Sequence, residues 1–357
     1  MSSVTAQDAS NGTQTEAVAC TVCGGDRPES LLIAKDAREA SNEGFPIVRC
    51  GACGHLYTSP RPTAASLERF YPSAYYDDNG RRSRRGEAKR TAQRVGLREG
   101  GIRAALRSHW GYPQRAGGDR ARPGVLVRMA TKPVSWWIAR ARRRLDALPW
   151  AGEGRLLDFG CGGGSLLRLQ RDRGWIVAGM DFKEAMAEEL RSEDALDVSA
   201  GTWPGPVMAD RTFDAITAWH VIEHLPDPVS WARQAADQLA PGGYLLIVCP
   251  RADSWAARYF KAHWTGYDVP RHFSHFTYDV MKRLLTDVGL EVLQHRGEAR
   301  PTSLRQSAKA MAREATANLL HRWLLKRKSF WKLVALGTRI TGQADGMWVL
   351  ARKPESR

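Results

Sequence analysis

Short apolar runs recur through the second half of the chain, and amphipathic stretches separate them. The runs lie at residues 156–159, 175–180, 213–219, 244–249 and 347–351, and residues 290–295, which are half polar, are predicted as a further strand. A helical spacing of apolar positions covers 166–173 and 279–288. Buried strands that alternate with helices are typical of proteins with a largely parallel sheet. The pattern predicts an α/β fold with a doubly wound, Rossmann-like sheet.

A glycine-rich turn follows the first apolar run. Asp158 precedes glycines at every second position, Gly160, Gly162 and Gly164, and Ser165 comes next. Glycine allows left-handed backbone and a close approach to a ligand. A dinucleotide-binding fingerprint would need glycine where Ser165 stands. The turn therefore predicts a nucleotide-type cofactor site of another kind, with Ser165 as the N-cap of the following helix.

This turn resembles motif I of class I S-adenosylmethionine (SAM) methyltransferases, whose pattern is acid-x-Gly-x-Gly-x-Gly. The resemblance covers roughly residues 150–300 and implies the seven-stranded sheet of that family. It also implies that Asp181, which ends the second run, binds the SAM ribose. The implied cofactor-binding residues are Asp158, Gly160, Cys161, Gly162, Gly164, Asp181, Phe182 and Trp219. No acid for the adenine amino group stands near Thr202 and Trp203, so the adenine contacts stay open.

The residues that follow the run at 213–219 lie at the carboxyl edge of the predicted sheet, where open α/β folds bind their ligands. An imidazole titrates near neutral pH, and an oxygen acceptor must lose its proton during methylation. His220 or His224 is therefore the predicted general base. A second interpretation makes His224 a histidine at a helix start that bonds only to local backbone.

His220, Glu223 and His224 also resemble the E-x-x-E-H segment of ubiquinone-pathway O-methyltransferases and small-RNA terminal 2′-O-methyltransferases, which bind a divalent cation. This chain has histidine at the first position of that segment. His272 is the residue expected to complete such a site. Metal-assisted transfer, with a cation such as Mg²⁺, therefore stands beside general-base catalysis, and His272 joins the two other histidines as a candidate catalytic residue.

Two C-x-x-C-G segments near the N-terminus supply four thiols, from Cys20, Cys23, Cys50 and Cys53. Four thiolates in two such pairs suit tetrahedral zinc, and four protein ligands leave no open position, so this zinc is expected to be structural. Disulfides are the competing interpretation. No signal peptide heads the chain, which favours a reducing cytoplasm and therefore zinc.

The residues after the second cysteine pair resemble bacterial zinc-ribbon-headed methyltransferases, a group associated with glycan and secondary-metabolite pathways. Residues 264–277 are similar to the W…D-x-P-R-H…F-T segment of that group, which lies over the reaction site. Phe273 and Phe276 are expected in the core. The resemblance implies that five residues contact substrate: Glu223, Trp264, Tyr267, Asp268 and Arg271.

The positive charge of the chain is concentrated in one segment. Residues 81–149 hold 19 Lys and Arg against 4 acids, a difference of +15 that equals the net charge of the whole chain. Three interpretations stay open: a solvated connector helix, a contact with an anionic membrane, and a contact with nucleic acid or a phosphorylated substrate. Aromatic residues are not interleaved through the basic run, which disfavours nucleic acid.

Four segments are predicted: a disordered tail over 1–17, a zinc ribbon over 18–80, a basic connector over 81–149, and a SAM methyltransferase domain over 150–357 with a helical insertion at about 301–342. The second half of the insertion is basic and apolar, which suits either a lid over the substrate pocket or an interfacial helix, and the lid is favoured. No uncharged apolar run approaches the length of about 18 residues that a membrane span needs. The protein is expected in the cytoplasm, with peripheral membrane contact left open.

The expected function is SAM-dependent methyl transfer, with oxygen as the favoured acceptor on a small molecule, a glycan or a secondary metabolite. Two other classes stay open. One is an RNA methyltransferase, and the other is a catalytically degenerate binding protein that docks through the zinc ribbon and the basic segment. Fold-level analogy alone does not identify the substrate.

Overall fold

The computed structural model describes residues 13–36, 43–71, 111–112, 148–201, 210–314 and 327–355. Most of the predicted disordered tail, most of the basic connector, the end of the predicted zinc ribbon and the middle of the helical insertion lie outside these residues. The segment expected to contact adenine, from Thr202 onward, also lies outside them. The end of the predicted tail is ordered instead, because Thr15 and Glu16 pair with Pro62 and Arg61 in a short antiparallel ladder.

The described residues form thirteen strands and eight α-helices. The strands are β1 (Thr15–Glu16), β2 (Pro28–Lys35), β3 (Gly44–Cys50), β4 (Leu56–Thr58), β5 (Arg61–Pro62), β6 (Arg155–Phe159), β7 (Ile176–Asp181), β8 (Asp197–Ala200), β9 (Phe213–Trp219), β10 (Leu239–Pro250), β11 (Ser274–His275), β12 (Glu291–Glu298) and β13 (Gly346–Arg352). The helices are α1 (Ala64–Leu67), α2 (Ser165–Asp172), α3 (Glu184–Asp194), α4 (Pro228–Gln238), α5 (Trp255–Phe260), α6 (Tyr278–Asp287), α7 (Pro301–Glu314) and α8 (Lys328–Ile340).

Seven strands form one sheet in the order β12-β13-β10-β9-β6-β7-β8. Strand β6 pairs in parallel with β7 and with β9, and β7 pairs in parallel with β8. Strand β13 runs antiparallel to β10, because Lys353 exchanges backbone hydrogen bonds with the start of β10 while the amide of Arg251, after its end, donates to Asp345. The predicted doubly wound, seven-stranded sheet is confirmed.

Two local predictions were wrong by a few residues. Gly164, with φ of +70°, is the N-cap of α2, and Ser165 is already helical. The left-handed turn extends to the third glycine, and the carbonyl of Gly164 accepts the first helical bond, from Arg168. Strand β10 begins at Leu239, five residues before the apolar run at 244–249, because Lys353, the residue after β13, pairs with the backbone of Gly242 and Gly243.

The N-terminal residues build a second, four-stranded sheet in the order β11-β4-β3-β2. Strands β2, β3 and β4 form an antiparallel meander that carries the cysteine segments. The fourth strand, β11, comes from far along the chain and pairs Ser274 with Tyr57. The predicted ribbon thus gains a strand that periodicity did not indicate, since a two-residue strand has no period.

Two compact units divide the chain. One holds Met1–Pro72, Trp219–Gln234 and Ile247–Ala351, and the other holds Ser73–Ala218, Ala235–Leu246 and Arg352–Arg357. The first unit has a core that joins the ribbon to α5, α7 and α8 through side chains such as Phe45, Phe260 and Trp331. Among the described residues, no helix combines the length and apolar character that crossing a membrane requires.

Candidate active site

The glycine turn after β6 has the geometry that its sequence predicts. Gly160, Gly162 and Gly164 have φ of +71°, +48° and +70°, a region that other residues rarely adopt. The amides of Gly160 and Cys161 both donate to the carbonyl of Met180 on β7. The turn is therefore pinned to the neighbouring strand with its backbone close to the carboxyl edge.

Asp181, the last residue of β7, holds the same turn from its other side. One carboxylate oxygen accepts a hydrogen bond from the amide of Gly162 at 2.9 Å, and the other accepts from the amide of Lys183 at 3.2 Å. Burial raises the pKa of this carboxyl. The next residue, Phe182, leaves 58% of its surface exposed. The fixed carboxylate of Asp181 suits hydrogen bonds to a ribose, and the exposed ring of Phe182 beside it suits stacking against a flat base.

Asp158 lies beneath the turn, and its side chain is buried. The hydroxyl of Thr217 donates to it at 2.7 Å. Burial raises the pKa of Asp158 to about 7, the Thr217 hydrogen bond opposes that rise, and the charge of Asp181 adds to it. A ligand that carries positive charge would stabilise the ionised form of this carboxyl.

The side chain of Cys161 and the indole nitrogen of Trp219 are both buried. The thiol of Cys161 packs into an apolar cluster with Leu167 and Leu190, so only its backbone faces the turn. The indole nitrogen of Trp219 is buried and makes no hydrogen bond. The cofactor role predicted for these residues therefore rests on backbone and ring surface.

The four residues His220, Glu223, His224 and His272 form a polar cluster that we call the histidine rim. His220 has φ of +55°, and its amide donates to the carbonyl of Val248. Its ring lies between two carboxylates, with Nδ1 at 3.2 Å from Glu223 Oε1 and Nε2 at 3.5 Å from Glu298 Oε2. Nothing in the sequence indicated Glu298, because it ends a strand about 75 residues later in the chain.

The charges around His220 favour its protonated form. Burial and the charge of Arg300 lower its pKa, but the carboxylates of Glu223 and Glu298 outweigh both, and the pKa is raised. The pKa of Glu223 falls to about 2, since His220 outweighs the effect of burial. The raised pKa of His220 favours its protonated form, which makes it a weaker candidate for the base than His224.

Backbone carbonyls orient the two other rings. Nδ1 of His224 lies 3.1 Å from the carbonyl of Arg271, and Nδ1 of His272 lies 2.9 Å from the carbonyl of Gly266. A carbonyl only accepts, so the tautomer with the hydrogen on Nδ1 satisfies both contacts and leaves the lone pair of each ring on Nε2. Burial lowers the pKa of His224, and it lowers that of His272 to about 4. Both rings are therefore neutral.

Glu223, His224 and His272 bring one potential ligand atom each to within 4.8 Å of one another. Oε2 of Glu223 is buried and makes no hydrogen bond. Because a buried carboxylate oxygen is costly to leave unpaired, this atom calls for a partner. Two neutral imidazoles and a carboxylate are a donor set that fits a divalent cation.

The four other predicted substrate residues are buried. Trp264 and Tyr267 pack in the apolar core of the first unit, with their rings 4.9 Å apart. The Arg271 guanidinium pairs with Asp268 at 2.8 Å and with Asp36, whose Oδ2 lies 3.0 Å from Nη1. In this conformation their role is to hold the loop that carries His272. Contact with substrate stays a prediction for them.

The four cysteine sulfurs converge as predicted. Cys20 Sγ lies 3.6 Å from Cys53 Sγ, and Cys23 Sγ lies 3.5 Å from Cys50 Sγ, so no disulfide is present among them. Sulfurs bound to one zinc at about 2.3 Å stand near this spacing. Backbone amides at Val22, Cys23, Ala52 and Cys53 donate to the sulfurs of Cys20 and Cys50. The cluster fits a metal of the zinc type.

The N-terminal residues contact the histidine rim directly. The hydroxyl of Tyr71 lies 3.0 Å from Nδ1 of His224, and the hydroxyl of Thr58 donates to the carbonyl of His272 at 2.9 Å. Asp36 pairs with Arg271 as described above. Sequence reasoning missed Asp36, Thr58 and Tyr71, since contacts between residues more than 150 positions apart leave no local pattern. The N-terminal residues therefore help to hold the histidine rim in place.

The sheet order and the glycine turn after β6 are those that the resemblance to class I SAM-dependent methyltransferases implied. Residues 135–295 match a family model described as a methyltransferase domain.

Known relatives include ubiquinone biosynthesis O-methyltransferases from Ralstonia nicotianae and Ruegeria pomeroyi. The first is 31% identical over 149 residues, which cover 36% of this chain and 61% of the relative. The second is 32% identical over 154 residues, which cover 42% of this chain and 61% of the relative. The chain thus spans about six tenths of the length of these proteins. A solved SAM-dependent methyltransferase from Mesorhizobium loti is 18% identical with a TM-score of 0.41, covering 60% of this chain and 97% of that one.

Proposed function

We propose that this protein transfers the methyl group of SAM to an oxygen atom of a small-molecule acceptor. The observation that carries the proposal is the turn at Gly160, Gly162 and Gly164, held by the carboxylate of Asp181. The turn follows β6, the histidine rim follows β9, and β6 and β9 are parallel neighbours. Ligands of open α/β sheets bind at the carboxyl ends of such strands.

The acceptor class follows from the relatives and from the rim. The relatives named above are O-methyltransferases of ubiquinone biosynthesis, which act on a small molecule. A hydroxyl acceptor needs a group that takes its proton, and the rim supplies neutral imidazoles for that task. Glycan or secondary-metabolite hydroxyls are acceptors of the same chemical kind.

His224 is the proposed general base. Its Nδ1 hydrogen points at the Arg271 carbonyl, which leaves Nε2 as the proton acceptor. The SAM sulfonium supplies an already activated methyl group, so the protein mainly aligns the acceptor, excludes water and removes one proton. Orientation of this kind is worth about 7–11 kcal/mol in favourable model systems.

A divalent cation is the second candidate, and the unpaired Oε2 of Glu223 favours it. Glu223, His224 and His272 would hold the ion, and the carbonyls behind the two rings would fix their orientation. Such an ion would lower the pKa of an acceptor hydroxyl and position it. Mg²⁺ prefers oxygen ligands, so a softer ion such as Mn²⁺ also suits this site.

The cysteine cluster is proposed to hold a structural Zn²⁺. All four positions of a tetrahedral ion would be taken by Cys20, Cys23, Cys50 and Cys53, which leaves no position for substrate. Its contribution would be the fold of the ribbon, and through Asp36 and Tyr71 the order of the rim.

Methyl-labelled SAM and fractionated bacterial extract test the proposed function. With full-length protein, label should enter an organic-soluble or glycan fraction, and the product should survive ribonuclease. At a SAM concentration below saturation, the Asp181→Ala variant should transfer at least tenfold less label than the wild type. Loss of the labelled product after ribonuclease would contradict the proposal in favour of an RNA acceptor. Stoichiometric SAM binding without transfer to any fraction would contradict it in favour of a binding protein.

A further inference from the structure

Helix α8 has two apolar faces, and the residues that the structure describes cover only one of them. Trp331, Ala335 and Thr338 are buried, in part against α5 and α7. The side opposite exposes Leu333, Leu336 and Ile340 at 67%, 51% and 75%. Their spacing of three and four residues places them on one stripe of the helix. A soluble surface seldom leaves so many large apolar side chains in one row.

The charge of the same segment is of one sign. Residues 315–344 contain six cations and no acid. The cations are Arg322, Lys326, Arg327, Lys328, Lys332 and Arg339. On α8, Lys328 and Lys332 are exposed and continue, at a spacing of four, the row that Leu336 and Ile340 form. The exposed surface of the helix is therefore apolar and cationic together.

The presence of both apolar and cationic side chains on this face of α8 distinguishes between the partners that could bind it. A second copy of the chain would bring the same cations against these in a symmetric dimer, where like charges repel. A nucleic acid would satisfy the cations but would leave Leu333, Leu336 and Ile340 without contacts, and the aromatic Trp331 is buried and unavailable for stacking. An anionic bilayer suits both the cations and the apolar stripe. Its headgroups attract cations, and the boundary between headgroups and acyl chains accepts apolar side chains.

We propose that α8 docks the protein peripherally on anionic phospholipid membranes. Leu333, Leu336 and Ile340 enter the boundary between headgroups and acyl chains, and Lys328 and Lys332 lie at the headgroups. The helix stays parallel to the surface. Attraction of about 1 kcal/mol for each nearby Lys or Arg makes binding depend on anionic lipid and on salt.

Cosedimentation of full-length, zinc-loaded protein with vesicles tests the proposal. One set of vesicles contains phosphatidylcholine alone, and the other contains phosphatidylcholine with phosphatidylglycerol. The protein should sediment with the second set and be released by salt. Ile340→Asp should weaken binding to these vesicles at least tenfold, and Leu336→Asp with Ile340→Asp should abolish it.

Ile176→Asp is the matched control, since Ile176 is 62% exposed on β7 and outside the helix. It should bind vesicles as the wild type does. Circular dichroism and SAM binding of every variant check that the fold and the proposed function are unaffected, so failure of docking is separable from failure of catalysis. Three results would overturn the proposal: equal binding to both vesicle sets, equal binding by Ile340→Asp and wild type, or a dimer in sedimentation equilibrium that Ile340→Asp dissociates.

Discussion

The three histidines of the histidine rim lie in one cluster, but their surroundings shift their pKa values in different directions. His220 lies between two carboxylates, which raise its pKa, whereas Nδ1 of His224 and Nδ1 of His272 each lie at a backbone carbonyl and burial lowers the pKa of both rings. The difference arises from the partner of each ring nitrogen, which the sequence does not reveal. It makes His224 a better candidate for the base than His220.

If His224 is the general base, His224→Ala should lower the rate of methyl transfer by about 10²–10⁴-fold. SAM affinity should stay the same, because the ring contacts the acceptor side of the reaction. A labelled-SAM assay and calorimetry measure the two quantities, and His295→Ala, an exposed histidine on β12, is the matched control.

A chelator separates this account from the cation alternative. In protein that retains its structural zinc, the general-base account expects no effect of the chelator. Activity that falls with chelator and returns with Mg²⁺ or Mn²⁺ would contradict it, and Glu223→Gln would then be as damaging as His224→Ala.

Asp158 links stability to pH in the SAM-free protein. Its folded-state pKa of about 7 lies above the ordinary value, so the fold favours the protonated carboxyl. Its stabilising contribution is complete below about pH 4 and is lost as pH rises toward 7. Asp158→Asn should remove this pH-dependent loss of folding stability. The loss amounts to at most about 1.4 kcal/mol for each pH unit.

Urea unfolding at pH 5, 6 and 7 measures this effect. The free energy of unfolding of the wild type should fall relative to that of Asp158→Asn across this range. Parallel pH dependence in the two proteins would show that Asp158 is already ionised in the folded state.

At the scale of elements, prediction succeeded where a pattern was local. The strands β6, β7 and β9, the glycine turn and the cysteine pairs each carry their signal within a few residues. Neither strand β11 nor the pairing of Arg271 with Asp36 has a local sequence signal, because both depend on contacts between distant segments. Arg271 was therefore expected at the substrate, although its loop position equally suits a buried ion pair.

The Arg271 pairing makes a prediction about stability. Asp36→Asn should lower the free energy of unfolding by about 3 kcal/mol, because it leaves a buried guanidinium with one carboxylate where it had two. Urea unfolding checks this, with the exposed Asp26→Asn in the same ribbon as the control. Equal stability of the two variants would mean that Asp36 adds nothing to the ion pair with Asp268.

The ribbon makes a prediction about metal content. Purified protein should contain one zinc per chain, and Cys20→Ser should lose it together with order in β2, β3 and β4. Cys249→Ser, outside the cluster, should keep its zinc. Elemental analysis measures the metal, and zinc-free protein with four freely reactive thiols and an intact fold would contradict the structural assignment.

At the scale of the whole molecule, the ribbon and the rim belong to one compact unit and the glycine turn belongs to the other. Thr58 and Tyr71, from the N-terminal part of the chain, contact His272 and His224, which are proposed to act on the acceptor. Removal of the ribbon should therefore disturb the rim, although its metal takes no part in the chemistry. The predicted domain boundary at residue 150 places the ribbon and the rim in different domains, whereas both belong to one compact unit.

Calorimetric titration of SAM into the full-length, zinc-loaded protein tests the central claim most directly. The account predicts one SAM bound per chain, with an affinity that Asp181→Ala weakens by about 1.5–3 kcal/mol through lost hydrogen bonds to a charged group. The exposed Asp172→Ala, at the end of α2, should bind SAM as the wild type does. An absence of SAM binding by the wild type, or equal affinity in Asp181→Ala and Asp172→Ala, would contradict the cofactor site described here.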